Sequence, residues 1–364
     1  MLYMLASHGF YHGHITILNL LRYISFRSGC ACLTALIFSL ILGKPFITAL
    51  KRLQRHGQPI RTLGPEKHII EKTGTPTMGG VLILTTLSLS TLLWSDLFNP
   101  FIWAVWLTML GFGTVGFIDD YKKLIKNNTT GLSKRSRLGA EFLISLLCGW
   151  WIQSLMPKTL AYTLTFPFAK DLLLPLGVFY LIFVMITITG FGNAVNFTDG
   201  LDGLAIGSVI IATFIFSILC YLVGNHSFAD YLQIHAVPET GELTVFCAAL
   251  IGSGLGFLWF NAPPASIFMG DTGSLSLGGG LGALSVAIKH ELVLCIVGGL
   301  FVIETLSVII QVLWYKRTKK RVFLMAPIHH HFEKKGWAEP KIVIRFWIIA
   351  IVLGLCGLAT LKLR

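Results

Sequence analysis

Five aspartates and three histidines stand in four short polar segments of an otherwise apolar chain. The segments are GFIDDYKK with Asp119 and Asp120; GNAVNFTDGLDGLA with Asn193, Asn196, Asp199 and Asp202; NAPPASIFMGDTGS with Asn261, Phe268 and Asp271; and MAPIHHHFEKKGW with His329, His330 and His331. Grouped carboxylates suit a hard cation, magnesium above all, which keeps part of its water and takes phosphate oxygens of a substrate as further ligands. Such an ion stabilises charge that develops on a transferred phosphoryl group. These residue types therefore predict a phosphorylated substrate. Zinc competes because of the histidines, but consecutive histidines do not share a helix face, no cysteine lies nearby, and the acids exceed what zinc takes.

Each segment taken singly also has a structural explanation. Asp119 and Asp120 could pair with Lys122 and Lys123 at a helix end, although carboxylates there oppose the helix dipole. Asp271 could cap the helix that follows it, and the Asn and Asp residues of the second segment could cap theirs. The histidine run could be a polar loop. Asn193, Asn196, Asp199 and Asp202 recur every third residue, so wherever that segment is helical they lie near one face.

Long apolar runs position these segments. The chain has 364 residues, 54% hydrophobic and 13% charged, with a mean hydropathy of +0.73. Soluble domains carry roughly 25% charged residues, so the composition is that of a multi-span membrane protein. Spans must satisfy their own backbone polar groups, which predicts an all-α polytopic bundle over residues 1–364 as a single domain. Runs long enough to span fall near 29–50, 76–94, 101–118, 138–156, 173–189, 204–223, 243–260, 273–288, 292–314 and 342–361. The eighth is rich in Gly and Ser, residues that let helices pack closely. The first lacks a small-residue cleavage pattern, so insertion is expected to be permanent. The seven cysteines sit in or beside apolar runs without zinc-type spacing and read as small hydrophobes. Glu304 falls within the ninth run, where function and an interhelical hydrogen bond are equally open.

Ten spans put both termini on one side, and basic residues orient the rest. Twenty lysines and arginines lie in the connections after the first, third and ninth runs, against seven on the opposite face. The odd connections, which hold all four polar segments, are thus expected to face the cytoplasm, and both termini the periplasm. His8, His12 and His14 fall on the outer side, as interfacial residues. The net charge of +12 is accounted for by this orientation and by anionic lipid headgroups, which leaves no call for nucleic acid.

Taken with LRYISFR, KTGTPTMGG, GGLFVIETLSVIIQV, IRFW and LATLKLR, the four segments span the whole chain. In them the chain resembles the phospho-N-acetylmuramoyl-pentapeptide transferases, of the polyprenyl-phosphate N-acetylhexosamine 1-phosphate transferase superfamily. The aspartate motifs are shared across the superfamily, while APIHHHFEKKGW followed by IRFW is narrower and favours the muramoyl-pentapeptide branch. The resemblance implies transfer of phospho-N-acetylmuramoyl-pentapeptide from UDP-MurNAc-pentapeptide to undecaprenyl phosphate at the bacterial inner membrane, yielding lipid I and UMP. It also implies magnesium on Asp271, with Asp119 and Asp120 lining the same pocket and Asp119 as a base. Asn193, Asn196, Asp199 and Asp202 would hold the nucleotide and its diphosphate, with Lys72 as a cation to phosphate. Asn261 and Phe268 would meet uracil, and His329, His330 and His331 the sugar phosphate or the leaving group. A relative using UDP-N-acetylglucosamine, and more remotely a transporter, remain as alternatives, and the oligomeric state, a homodimer included, is left open.

Overall fold

The computed structural model describes residues 1–3, 16–54, 74–125 and 131–362. Lys72, His8, His12 and His14 lie outside them. Thirteen α-helices form among the described residues: α1 (Ile24–Leu53), α2 (Gly80–Trp94), α3 (Pro100–Ile125), α4 (Lys134–Leu155), α5 (Phe179–Thr198), α6 (Leu204–Val223), α7 (His226–Leu232), α8 (Leu243–Asn261), α9 (Gly270–Ala287), α10 (Glu291–Val297), α11 (Gly299–Thr318), α12 (Ile328–Lys334) and α13 (Glu339–Ala359). Eight segments among the described residues are long and apolar enough to cross a membrane. The remaining two of the ten expected runs are α2, with 15 residues, and α9, which is too polar in composition. At about 1.5 Å per residue α2 falls short of a hydrocarbon core of about 30 Å. Residues 76–79 extend it as a non-helical strap.

Two runs, the fifth and the ninth, differ from the sequence expectation. The fifth run does not begin a helix near residue 173: β1 (Thr163–Phe166) and β2 (Ala169–Pro175) pair antiparallel there, with Leu164 opposite Leu174. Residues 176–178, with Gly177 at φ +55°, separate this hairpin from α5. α5 then runs nine residues beyond the expected end and carries Asn193 and Asn196 into the helix. The ninth run is broken at Gly298 (φ −88°, ψ 18°) into α10 and α11.

α9 is the axis of the bundle. Every residue in it except Asp271 is buried, and α3, α5 and α2 pack around it. Glycine permits the approach: a Cβ on Gly278 would lie 2.3 Å from the Phe191 carbonyl oxygen, and one on Gly116 would lie 2.2 Å from that of Asp271. The Gly/Ser composition of the eighth run therefore serves helix packing, as small residues do in membranes. At the opposite end of the bundle, Arg27 and Glu242 form a buried two-point ion pair, and Glu242 also accepts the Asp96 amide at 2.7 Å. There too the Lys289 ammonium donates to the Thr163 carbonyl at 2.6 Å and ties the hairpin to the end of α9.

Adding a methyl where backbones touch forces them apart, at typically 1–3 kcal/mol. Gly278→Ala should lower the midpoint of thermal unfolding in detergent by several degrees. Gly139→Ala, where a Cβ would meet nothing within 4 Å, should leave it unchanged or raise it.

Candidate active site

The N-terminus of α9 is the foundation of the site. Gly270 adopts φ +74°, turning the chain so that the first amides of α9 face α3. Asp120, on the last turns of α3, accepts the Asp271 amide at 3.2 Å, the Thr272 amide at 2.9 Å and the Thr272 hydroxyl at 2.8 Å. Asp120 is thus the cap of α9, where a carboxylate satisfies orphan donors and favours the helix dipole. The expectation that Asp271 might cap this helix is corrected: it stands in the first turn with its side chain turned outward.

That side chain meets cations and an amide. Asp271 Oδ2 lies 2.6 Å from the Lys123 ammonium and 3.6 Å from Arg137 Nη1, and Oδ1 accepts from Asn196 Nδ2 at 2.6 Å. Lys123 Nζ also lies 2.6 Å from Asp119 Oδ2, while Asp119 Oδ1 accepts the Leu132 amide at 2.5 Å. The segment at Gly131 folds over Asp119 so closely that a Cβ there would lie 2.3 Å from Oδ1. Arg137 Nη2 donates to Asn193 Oδ1 at 3.0 Å, and Asn193 donates to the buried Glu141 at 2.6 Å. Asp119, Asp120 and Asp271 each offer a carboxylate oxygen, all within 4.8 Å of one another, which suits an oxygen-liganded cation. With Glu141 there are, among the described residues, four carboxylates beside two side-chain cations. In ionised form they leave a deficit that one divalent ion would fill, and the partly exposed face of Asp271 leaves an approach for water or substrate.

The second segment divides. Asn193 and Asn196 face this cluster from α5, but the helix ends at Thr198 and Asp199 is its C-terminal cap residue. Asp199 and Asp202 therefore do not continue the Asn193 and Asn196 face. Asp202 is drawn to another loop: its Oδ2 accepts the Ala265 amide at 3.0 Å, and its own amide donates to Glu339 at 2.7 Å. Asn261 braces the same loop. Its Nδ2 donates to the Ile267 carbonyl at 2.8 Å and its Oδ1 accepts the Gly203 amide at 3.0 Å, so both ends of the buried amide are engaged within the protein. The Phe268 amide donates to Pro76 O at 2.8 Å and its carbonyl accepts from Gly79 at 2.9 Å, which docks the strap before α2 beside α9.

The histidine run is helical, and its members point different ways. His329 is fully buried, with Nδ1 3.1 Å from Oε1 of the equally buried Glu304. The two atoms are close but lack hydrogen-bond geometry, and neither side chain has a hydrogen-bond partner among the described residues. The other ring nitrogen lies where a Cβ on Gly200 would come within 2.3 Å. The run thereby reaches the turn that ends α5. His330 pairs with Glu333 at 2.9 Å, and His331 accepts the Leu324 amide at 3.1 Å. Burial first, and then the Lys335 ammonium, push the His331 imidazole below its usual range, in keeping with a neutral acceptor nitrogen. Glu304 is therefore an interhelical partner of His329.

Sequence reading did not single out Lys123, Arg137, Glu141, Gly131 or Gly200 as site residues. A signal existed for three of them. Lys123 is four residues after Asp119 and Glu141 four after Arg137, spacings that share a helix face, and Glu141 is an acid inside an apolar run. Gly131 and Gly200 have no such signal, because what crowds them comes from elsewhere in the chain.

The chain matches the glycosyl transferase family 4 model over residues 102–289, just over half its length. That match and the helical bundle together define a membrane-embedded transferase. Phospho-N-acetylmuramoyl-pentapeptide-transferase signature 1 matches residues 72–84. Proteins named phospho-N-acetylmuramoyl-pentapeptide-transferase are 72% identical in Gluconacetobacter diazotrophicus, over 100% of both chains, and 72% identical in Gluconobacter oxydans, over 99% of both. One from Granulibacter bethesdensis is 62% identical over 95% of this chain and 96% of its own. The chain belongs to the phospho-N-acetylmuramoyl-pentapeptide-transferase family.

Asn261→Ala would orphan a buried carbonyl and a buried amide, each at about 1–3 kcal/mol. The expected result is a lower thermal midpoint together with lower activity. A raised KM for the sugar nucleotide at an unchanged midpoint would return Asn261 to the role of a uracil contact.

Proposed function

We propose that this chain transfers phospho-N-acetylmuramoyl-pentapeptide from UDP-MurNAc-pentapeptide to undecaprenyl phosphate, giving lipid I and UMP in peptidoglycan biosynthesis. The observation that carries the reading is the meeting of Asp119, Asp120 and Asp271 with Lys123 and Arg137 at one end of the bundle, in a chain 72% identical to transferases of that name. An oxygen of the lipid phosphate attacks the phosphorus that bears the sugar. The bond from that phosphorus to the UMP oxygen breaks, and UMP leaves with the electron pair. One diphosphate linkage replaces another, so the step is close to isoenergetic and needs no energy source.

Asp271 and Asp119, with Asp120 beside them, would hold magnesium as the resident ion of this cluster. When bound it neutralises charge on the diphosphate oxygens. Asp120 has a further task, holding the N-terminus of α9 still while Asp271 projects from it. A phosphate monoester has its second pKa near about 6 and is largely dianionic at neutral pH, so Asp119 contributes more by position and charge than as a base. Lys123, Arg137 and Asn196 orient phosphate oxygens by charge and hydrogen bonding, and Asn193 holds Arg137 in place. Asp199 and Lys72 extend the nucleotide side. His329 supports the turn at Gly200, leaving the partly exposed His330 and His331 to meet the sugar phosphate.

In this reading the same end of the bundle faces the cytoplasm at the bacterial inner membrane, where a cytosolic nucleotide and a lipid phosphate can meet, with both termini periplasmic; the lysines and arginines of the basic connections support that orientation.

Incubated with undecaprenyl phosphate and magnesium, the purified protein should release UMP from UDP-MurNAc-pentapeptide at least about a hundredfold faster than from UDP-N-acetylglucosamine. The reverse preference would assign the other branch, and substrate flux in proteoliposomes without UMP release would assign a transporter. Asp271→Asn should abolish turnover while the protein still elutes as a folded species; near-normal turnover would remove the metal assignment. With native cysteines replaced, an impermeant maleimide applied to spheroplasts should label Lys158→Cys and spare Lys320→Cys. The opposite pattern would invert the topology.

A further inference from the structure

Lys123 stands where a cation between the carboxylates would stand. Its Nζ is 2.6 Å from Asp119 Oδ2, 2.6 Å from Asp271 Oδ2 and 3.9 Å from Asp120 Oδ1. These are the three residues whose oxygens lie within 4.8 Å of one another. An ammonium and a divalent ion would draw on the same oxygen lone pairs, and two cations held at that separation repel. They cannot share the position. Lysine also has the means to leave it, because its charge rides on a flexible four-carbon stem, and the side chain is 19% exposed. Arg137 does not: its guanidinium is fastened to Asn193 at 3.0 Å and faces Glu141 at 3.5 Å.

We propose that Lys123 is an internal counter-ion, which neutralises Asp119 and Asp271 in the metal-free protein and is displaced when a divalent cation binds. The inference rests on the reading that these aspartates hold such an ion. It has two physical consequences. The ammonium competes with the metal, so the free protein binds the ion more weakly than three converging carboxylates alone would. The displaced ammonium needs a new anionic partner, so entry of the metal and of a diphosphate favour one another.

The test uses the full-length protein in detergent with Mn2+ alone as probe, its binding read by electron paramagnetic resonance, and thermal unfolding followed in EDTA and in Mn2+. Lys123→Met should bind Mn2+ about tenfold or more tightly than the unaltered chain, within the range usual for coupled sites. In EDTA it should unfold at a lower temperature than the unaltered chain, and Mn2+ should restore the difference. A purely structural lysine would give the loss in EDTA without tighter binding or rescue. Should the methionine variant not fold, Lys123→Gln, which removes the charge and keeps a polar amide, carries the same expectation. Mn2+ affinity within twofold of the unaltered chain, or weaker, overturns the counter-ion assignment. If Asp271→Asn loses Mn2+ binding while Lys123→Met retains ordinary affinity, the counter-ion fails and the metal reading stands. If the unaltered chain binds no Mn2+ and Asp271→Asn behaves identically, the metal reading fails and takes the counter-ion with it.

Discussion

α9 begins inside the bundle, and the amides at its start have no intrahelical partner and no ready access to water. Asp120 meets two of them and the Thr272 hydroxyl, and the close approach at Gly116 brings α3 near enough to do so. Much of the site follows from this docking. It sets Asp271 in the first turn of a buried helix with its side chain facing out, and it places Asp119, the neighbour of the capping residue, on the same wall. Two adjacent aspartates thereby acquire different tasks. One is spent on the backbone of another helix, and its neighbour faces Lys123 and Leu132.

A cluster of carboxylates in a poorly solvated place is unstable unless opposing charge is supplied. Here the supply comes from side chains of different stiffness. Arg137 is held by Asn193 and Glu141, so its position is prescribed, whereas Lys123 depends on the acids themselves for its position. The amides of α5 complete the wall, since Asn196 donates both to Asp271 and to Ser274. The site thus combines a rigid frame of backbone, amide and guanidinium with one mobile charge, an arrangement suited to a reaction whose chemistry is mainly the placement of phosphate groups.

The loop between α8 and α9 shows how polar residues near a site can serve the frame. Asn261 and Asp202 look from their motifs like ligand groups, and both also hold loop backbone, Asn261 through both ends of its amide and Asp202 through Oδ2. The triple histidine divides similarly. His329 turns inward to Glu304 and the Gly200 turn, and its two neighbours face the rim. An intramembrane acid such as Glu304 was visible as an anomaly in the sequence, and its partner proved to be the one histidine of three on the inward side. Consecutive residues of a helix stand about 100° apart around its axis, so in this short helix, buried only at His329, the three rings point different ways.

The apolar runs and the polar segments between them were legible in the sequence because hydropathy and residue type are local properties. So was the chemistry that grouped aspartates imply, and the i,i+4 spacing of Asp119 with Lys123 and of Arg137 with Glu141 was there to be read. Tertiary structure alone decided which aspartate caps and which faces outward, that Asn193 and Asn196 part company with Asp199 and Asp202 at the end of α5, and that the ninth run breaks at Gly298. The reason is common to all three. Each depends on what a distant segment presents at contact distance, Gly116 against Asp271, the Ala265 loop against Asp202, Phe191 against Gly298, and a linear pattern carries no information about that distance.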